Sequence, residues 1–145
     1  MLYETHYKEG KKVFFKKFDL KIAGLLFLPD NFDESKKYPA IVVTHPGGGV
    51  KEQCSSLYAW NLARNGYVAL AFDASHQGES EGMPRCLEDP TSRVEDIRSA
   101  VDYLTSLKYV DVERIGAMGI CAGGGYTINA IQTEFRIKAA AGIST

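Results

Sequence analysis

From Pro39 onward, short apolar runs alternate with stretches long enough to form helices, and few folds accept that order. Residues 40–44 are short and β-branched, which suits a strand buried on both faces. Residues 52–64 read as a helix with Leu57, Trp60 and Ala63 near one face. Asn65-Gly66 closes it, with Gly66 placed for a left-handed cap. Residues 67–72 form a second buried-type strand, leading to Asp73 and a turn-rich segment at 74–90. Ser92 is positioned to cap the next helix, with Glu95 as its reciprocal partner, and Val94, Ile97, Val101 and Leu104 recur at helical spacing. A polar loop at 111–114 precedes a short strand at 115–119. Cys121 and a glycine run then open a helix reaching about residue 134, and 137–143 is a last, mostly apolar strand.

Upstream of Pro39, residues 13–20 and 22–28 read as two strands joined by a tight turn. Phe14, Phe18 and Leu20 share one parity, but the alternation is imperfect and leaves the register open. The whole pattern predicts an α/β domain: a mostly parallel sheet with flanking helices and an N-terminal antiparallel hairpin.

Charge and composition remove several function classes. Seventeen Lys+Arg against 18 Asp+Glu leave a net charge of −1, so there is no broad basic footprint and nucleic acid is not an expected partner. No apolar run approaches the ~18–20 residues needed to cross a bilayer, so no membrane partner is expected. The polar start lacks the apolar middle of a signal peptide. The three cysteines show neither a CxxC pair nor metal-like Cys/His spacing. They fit free thiols in a reducing compartment, so the expected location is cytoplasmic and no metal is expected.

Three motifs carry chemistry. Gly119-Ile120-Cys121-Ala122-Gly123 lies directly between a predicted strand and a predicted helix. There it matches the strand-turn-helix nucleophile elbow, with Cys in place of Ser. Such a turn has no room for side chains beside the nucleophile, and Gly119 and Gly123 supply none. The turn sets the thiol at a helix N-terminus, where partial positive charge favours thiolate. The Ala122 N–H points at the same spot and can serve an oxyanion. The pentapeptide also fits an inert, buried Cys on a glycine-rich turn. His45-Pro46-Gly47-Gly48-Gly49 follows a buried strand and can offer a second N–H from 47–50. Neither GxxxxGK[ST] nor GxGxxG is present, which argues against a phosphate-binding loop. In Asp73-Ala74-Ser75-His76-Gln77-Gly78-Glu79-Ser80, Asp73 and Ser80 are placed to hold a turn by side chain to backbone bonds. His76 invites a catalytic role, yet such a loop normally buttresses a site rather than supplying its base.

VVTHPGGG, AFDASHQGESEG and GICAGGG, in this order and on these elements, resemble an α/β-hydrolase. The nearest branch is the dienelactone-hydrolase-like group, which tolerates Cys at the elbow. The resemblance implies an eight-stranded, mostly parallel sheet carrying nucleophile, acid and His in that order. It implies Cys121 as nucleophile, Ala122 as the main oxyanion donor and Gly47 or Gly48 as the second. His45, Asp73, Ser80, Gly119 and Gly123 would support the site. The implied reaction is hydrolysis of an ester, lactone or thioester in a small acyl substrate, with no cofactor.

The sequence departs from that pattern after the elbow. No His and no Asp follow Cys121, and His6, His45 and His76 all precede it. Element counting gives about six of the eight strands. The expectation is therefore one domain, residues 1–145, C-terminally incomplete and lacking the acid and the His. Its last strand, at 137–143, would pair with a second copy or a complementing chain. Two other readings stay open. One is a degenerate hydrolase acting as a binding or regulatory subunit. The other is a glutamine-amidotransferase-like Cys enzyme, which also needs a downstream His.

Overall fold

The computed structural model describes residues 5–145; residues 1–4, the first part of the polar start, lie outside the described residues. After a single 3-10 turn, His6–Glu9, the chain enters β1 (Lys11–Lys17) and returns as β2 (Leu20–Phe27). The two pair antiparallel, Lys11 opposite Leu26 and Lys17 opposite Leu20. Phe18 takes the tight turn with φ 49°.

The register that the sequence leaves open is fixed with Val13, Phe15 and Lys17 inward on β1, the parity opposite to Phe14 and Phe18. Phe14 and Phe18 are 46% and 79% exposed. Phe15 takes the core side because it stacks on Tyr103 at 5.4 Å and meets the edge of Phe72 at 6.1 Å. Phe14 instead lies beneath the Lys21 ammonium, 5.0 Å from its ring.

The remaining elements are β3 (Tyr38–Thr44), α1 (Cys54–Arg64), β4 (Val68–Phe72), α2 (Pro90–Thr105), β5 (Val110–Ile120), α3 (Ala122–Ala130) and β6 (Ile137–Ile143). The sheet order is β1-β2-β4-β3-β5-β6. β2 pairs antiparallel with β4, and β4, β3, β5 and β6 run parallel. The α/β architecture with an N-terminal hairpin is the one read from the sequence. β4 is buried at every position, as a central strand covered on both faces must be.

Local differences have physical causes. α1 buries Ser55, Ser56, Ala59 and Ala63, while Leu57 and Trp60 stay half-buried. Small residues let the helix lie close to the sheet, and Trp60 reaches out to donate to Glu9 at 2.7 Å. Gly66 closes α1 as predicted, with φ +95° and its N–H on the Ala63 carbonyl at 3.1 Å. α2 starts at Pro90 and is capped by Asp89, whose carboxylate accepts the Ser92 N–H at 2.9 Å. Pro90 needs no N–H partner and has its φ preset, so the start falls two residues before Ser92. The Ser92 hydroxyl then faces Lys17 and Ser75, and Glu95 pairs with Arg98. Residues 111–114, expected as a loop, belong to β5 instead, with 112–114 exposed and the register against β3 shifting between Tyr38 and Ala40. α3 stops at Ala130, short of residue 134.

The sheet separates two apolar layers. Val13, Phe15, Leu70, Phe72, Ile97 and Leu104 belong to the larger one, under α2 and α3. Leu25, Phe27, Val43, Ala59 and Ile120 form the smaller one, under α1. Inside the larger layer, the buried Lys17 ammonium sits 2.8 Å from Asp96. Among the described residues, no helix is long and apolar enough to cross a membrane.

Candidate active site

The C-terminal ends of the parallel strands β3, β4 and β5 deliver three loops to one end of the sheet, where ligands bind in open α/β folds. At the end of β5, Cys121 adopts φ 55°, ψ −124°, a conformation that non-glycine residues reach only under constraint. The constraint is packing. A Cβ on Gly119 would run into the Gly123 carbonyl. A Cβ on Gly123 would lie 2.5 Å from the Thr44 and His45 carbonyls. The chain can therefore turn from strand into helix only with glycine on both sides of Cys121. The Cys121 N–H donates to the Ile143 carbonyl at 2.8 Å, and the residue itself is exposed. Ala122 is the first residue of α3, so its N–H lies outside the helix's own bonding ladder.

The β3 loop packs against this elbow. A Cβ on Gly47 would lie 3.6 Å from Ala122 Cβ and 3.9 Å from Glu88 Oε1. Gly48 turns the loop with φ +67°, and Gly49 N–H closes it onto the Pro46 carbonyl at 3.0 Å. Gln53 holds its far end, accepting the Val50 N–H at 3.1 Å. His45 is fully buried. Its Nδ1 donates to the Pro46 carbonyl at 2.6 Å, and its Nε2 accepts the Ala74 N–H at 3.0 Å. These bonds define a neutral imidazole with the proton on Nδ1. Burial, and then the nearby Arg93 charge, push its pKa down to about 4. His45 is thus a brace between two loops.

The β4 loop is held as its sequence implies. Asp73 Oδ1 accepts the Lys51 N–H at 2.7 Å, and Oδ2 accepts the Glu79 N–H at 2.9 Å. Ser80 Oγ donates to the Asp73 carbonyl at 2.7 Å and accepts the Ala23 N–H at 2.9 Å. His76 has φ 72° and holds the Pro84 carbonyl at 3.0 Å through Nδ1, inside the turn.

Lys51 and Arg93 are both 1% exposed, and sequence reasoning missed both. Lys51 Nζ reaches Asp73 at 2.8 Å and Glu52 at 2.7 Å, which ties the glycine loop to the β4 turn. Arg93 Nη2 donates to the His45 carbonyl at 2.6 Å, and Nη1 meets Glu88 Oε1 at 2.7 Å. Its guanidinium lies 4.8 Å from the Tyr126 ring centre. A signal for Arg93 exists: it shares the buried face of α2 with Ile97, Ala100 and Leu104. Lys51 has no periodicity to betray it. Beside Ala122, a cleft of about 550 Å³ opens between α2 and α3, lined in part by Pro90, Val94, Arg98, Tyr126 and Asn129. Among the described residues, no three His, Cys, Asp or Glu side chains are grouped to hold a metal ion.

Residues 22–143 match the family model described as "Dienelactone hydrolase family". The chain is 55% identical over 125 residues to the uncharacterised protein YcjY of Escherichia coli (strain K12), covering 86% of this chain and 41% of that protein. It is 35% identical to the thiohydrolase aneE of Aspergillus aculeatus, over 82% of this chain and 36% of that one. The crystal structure of the hypothetical protein PA2218 from Pseudomonas aeruginosa superposes with a TM-score of 0.87 at 44% identity, covering 92% of this chain and 42% of that chain. The chain thus spans about two-fifths of the length of these relatives.

Proposed function

The chain belongs to the dienelactone hydrolase family, and on that premise we propose that Cys121 is the nucleophile of an acyl-transfer site for small ester, lactone or thioester substrates. The observation that supports this most is the strained Cys121 turn with the Gly47 loop packed against Ala122. The thiolate attacks the carbonyl carbon and an S–C bond forms. The carbonyl oxygen takes the displaced electron pair and sits between the Ala122 N–H and an N–H of Gly47 or Gly48. The oxyanion then collapses, the leaving group departs with its bonding pair, and a thioester remains on Cys121. The cleft between α2 and α3 takes the acyl group. The thiohydrolase among the relatives supports a thioester as one substrate class.

Release of the acyl group requires a base that activates water. His6 is buried and bonded through Nε2 to the Ser56 hydroxyl at 3.0 Å, His45 is buried, neutral and fully engaged, and His76 is bound into its turn, so none of the three suits that role. The base is then a His that these 145 residues do not supply, and the chain alone acylates faster than it turns over. Without a complementing segment it would act as a binding subunit. Incubation with p-nitrophenyl acetate followed by peptide mass mapping tests the reading. Acetyl on Cys121, absent from Cys54 and Cys86 and abolished in Cys121→Ala, is expected. Acetyl spread evenly over the three thiols, or found only on lysines, overturns it.

A further inference from the structure

An oxyanion hole needs two N–H donors aimed at one oxygen, each about 2.7–3.1 Å away. Here the donors stand on different elements: Ala122 on α3, and Gly47 or Gly48 on the loop after β3. No backbone bond ties them directly among the described residues. One side chain touches both sides. Arg93 comes from a third element, α2, and is almost completely buried. Nη2 donates to the His45 carbonyl at 2.6 Å, two residues before Gly47. The face of the guanidinium covers the Tyr126 ring at 4.8 Å, one turn along α3 from Ala122. Nη1 holds Glu88 Oε1 at 2.7 Å, and the same oxygen accepts the Tyr126 hydroxyl at 3.0 Å. That oxygen also lies 3.9 Å from where a Gly47 Cβ would be. Arg93, Glu88 and Tyr126 therefore form a closed triangle around the junction of loop and elbow helix.

We propose that Arg93 is a positioning residue that sets the spacing between the two oxyanion donors. It acts through the His45 carbonyl on one side and through Tyr126 and Glu88 on the other. The proposal rests on the acyl-transfer reading above. A planar fork suits the task, because one guanidinium can bond in two directions in its plane and stack through its face. A lysine ammonium has neither the fork nor the face. Glu88 balances the charge, so the buried cation is paired.

The test compares two reactions of the same thiol in the same 145-residue chain. Acetylation by p-nitrophenyl acetate passes through an oxyanion: the Cys121 S–C bond forms, the ester C–O bond breaks, and p-nitrophenolate leaves with the electron pair. The thiol proton goes to solvent. Alkylation by iodoacetamide displaces iodide from a saturated carbon and forms no oxyanion. In Arg93→Met, acetylation of Cys121 is expected to slow about 10–100-fold, less than the roughly 100–1,000-fold for outright loss of an oxyanion donor, while alkylation stays within about twofold. Arg93→Lys should recover only a small part of the loss.

A merely structural role would slow both reactions together or neither, and either result overturns the proposal. If the native chain is alkylated but never acetylated at Cys121, the acyl-transfer reading itself fails, and the positioning role falls with it. Should Arg93→Met lose its cooperative melt, Glu88→Gln carries the same comparison. It leaves Arg93 in place but loosens its hold on Tyr126. A drop of about 3–10-fold in acetylation alone is expected, and an unchanged ratio of the two rates overturns the proposal.

Discussion

Cys121 differs from the other two thiols in its setting rather than its chemistry. It is exposed and heads α3, where the first N–H groups of the helix are free to hold a developing negative charge. Cys54 is half-buried, and burial pushes its pKa up. Cys86 is exposed but lies in the turn segment between β4 and α2. Iodoacetamide at neutral pH should therefore label Cys121 first, several-fold ahead of Cys54 and Cys86 by peptide mapping. Equal labelling of Cys121 and Cys86 would leave no activated thiol. His45 gives a second residue-scale expectation. Its native pKa lies near 4, below the ordinary value of 6.5, so between these values the unfolded chain binds the extra proton. The contribution of neutral His45 is fully present above pH 6.5 and is lost as the pH falls toward 4. It amounts to something on the order of 3 kcal/mol. Urea melts at several pH values should show native and His45→Gln chains converging in stability as acid is added. A gap independent of pH would mean that His45 is not held neutral.

The elements show which constraints are written locally and which are not. Gly123 and Gly125 both lie in α3 and look alike in the sequence. A Cβ at Gly123 would press on two carbonyls of the β3 end, whereas one at Gly125 would meet nothing within 4 Å. Gly123→Ala should cost about 2–4 kcal/mol, because backbone cannot move aside cheaply. Gly125→Ala should gain about 0.5–1 kcal/mol by stiffening the unfolded chain and improving helix propensity. Equal effects by chemical denaturation would contradict the elbow packing. The elbow glycines and the Gly66 cap were legible because each follows from local geometry. The central strands were legible because burial on both faces leaves an unbroken apolar run. The face of β1 was not, since Phe14 and Phe15 are equally apolar and Phe72 and Tyr103, both far along the chain, select Phe15. The α2 start is ambiguous in the sequence because Asp89-Pro90 and Ser92 both carry capping chemistry. Lys51 and Arg93 carry little sequence signal, because such residues are almost never fully buried unless paired. Their partners, Asp73 for one and Glu88 with the His45 carbonyl for the other, meet them only in the folded sheet.

At the scale of the molecule the two edges of the sheet are unequal. β1 is a charged edge, with Lys11, Lys12 and Lys16 exposed along it, and its inward side is covered by α2 through Val13 and Phe15. β6 is different. It pairs with β5 alone, and Lys138 through Gly142 are exposed, with one charge among them. Lys138 spends its ammonium on the Phe135 carbonyl at 3.1 Å, near the strand's start. Ala139, Ala140 and Ala141 therefore offer their outer backbone groups and small side chains with little to deter another strand. A sparsely charged, apolar edge of this kind pairs with whatever strand is available. In a solution of this chain alone, the available strand is another copy's β6. We expect size-exclusion chromatography at micromolar concentration to give a species heavier than the 16.0 kDa monomer, growing with concentration. Ala140→Lys places a second charge in mid-strand, on the edge side of its partner Ala117, without touching the elbow. It should return the chain to monomer and leave Cys121 labelling unchanged. A native chain that elutes as monomer at every concentration would mean that the β6 edge is protected by its own twist and by Lys138.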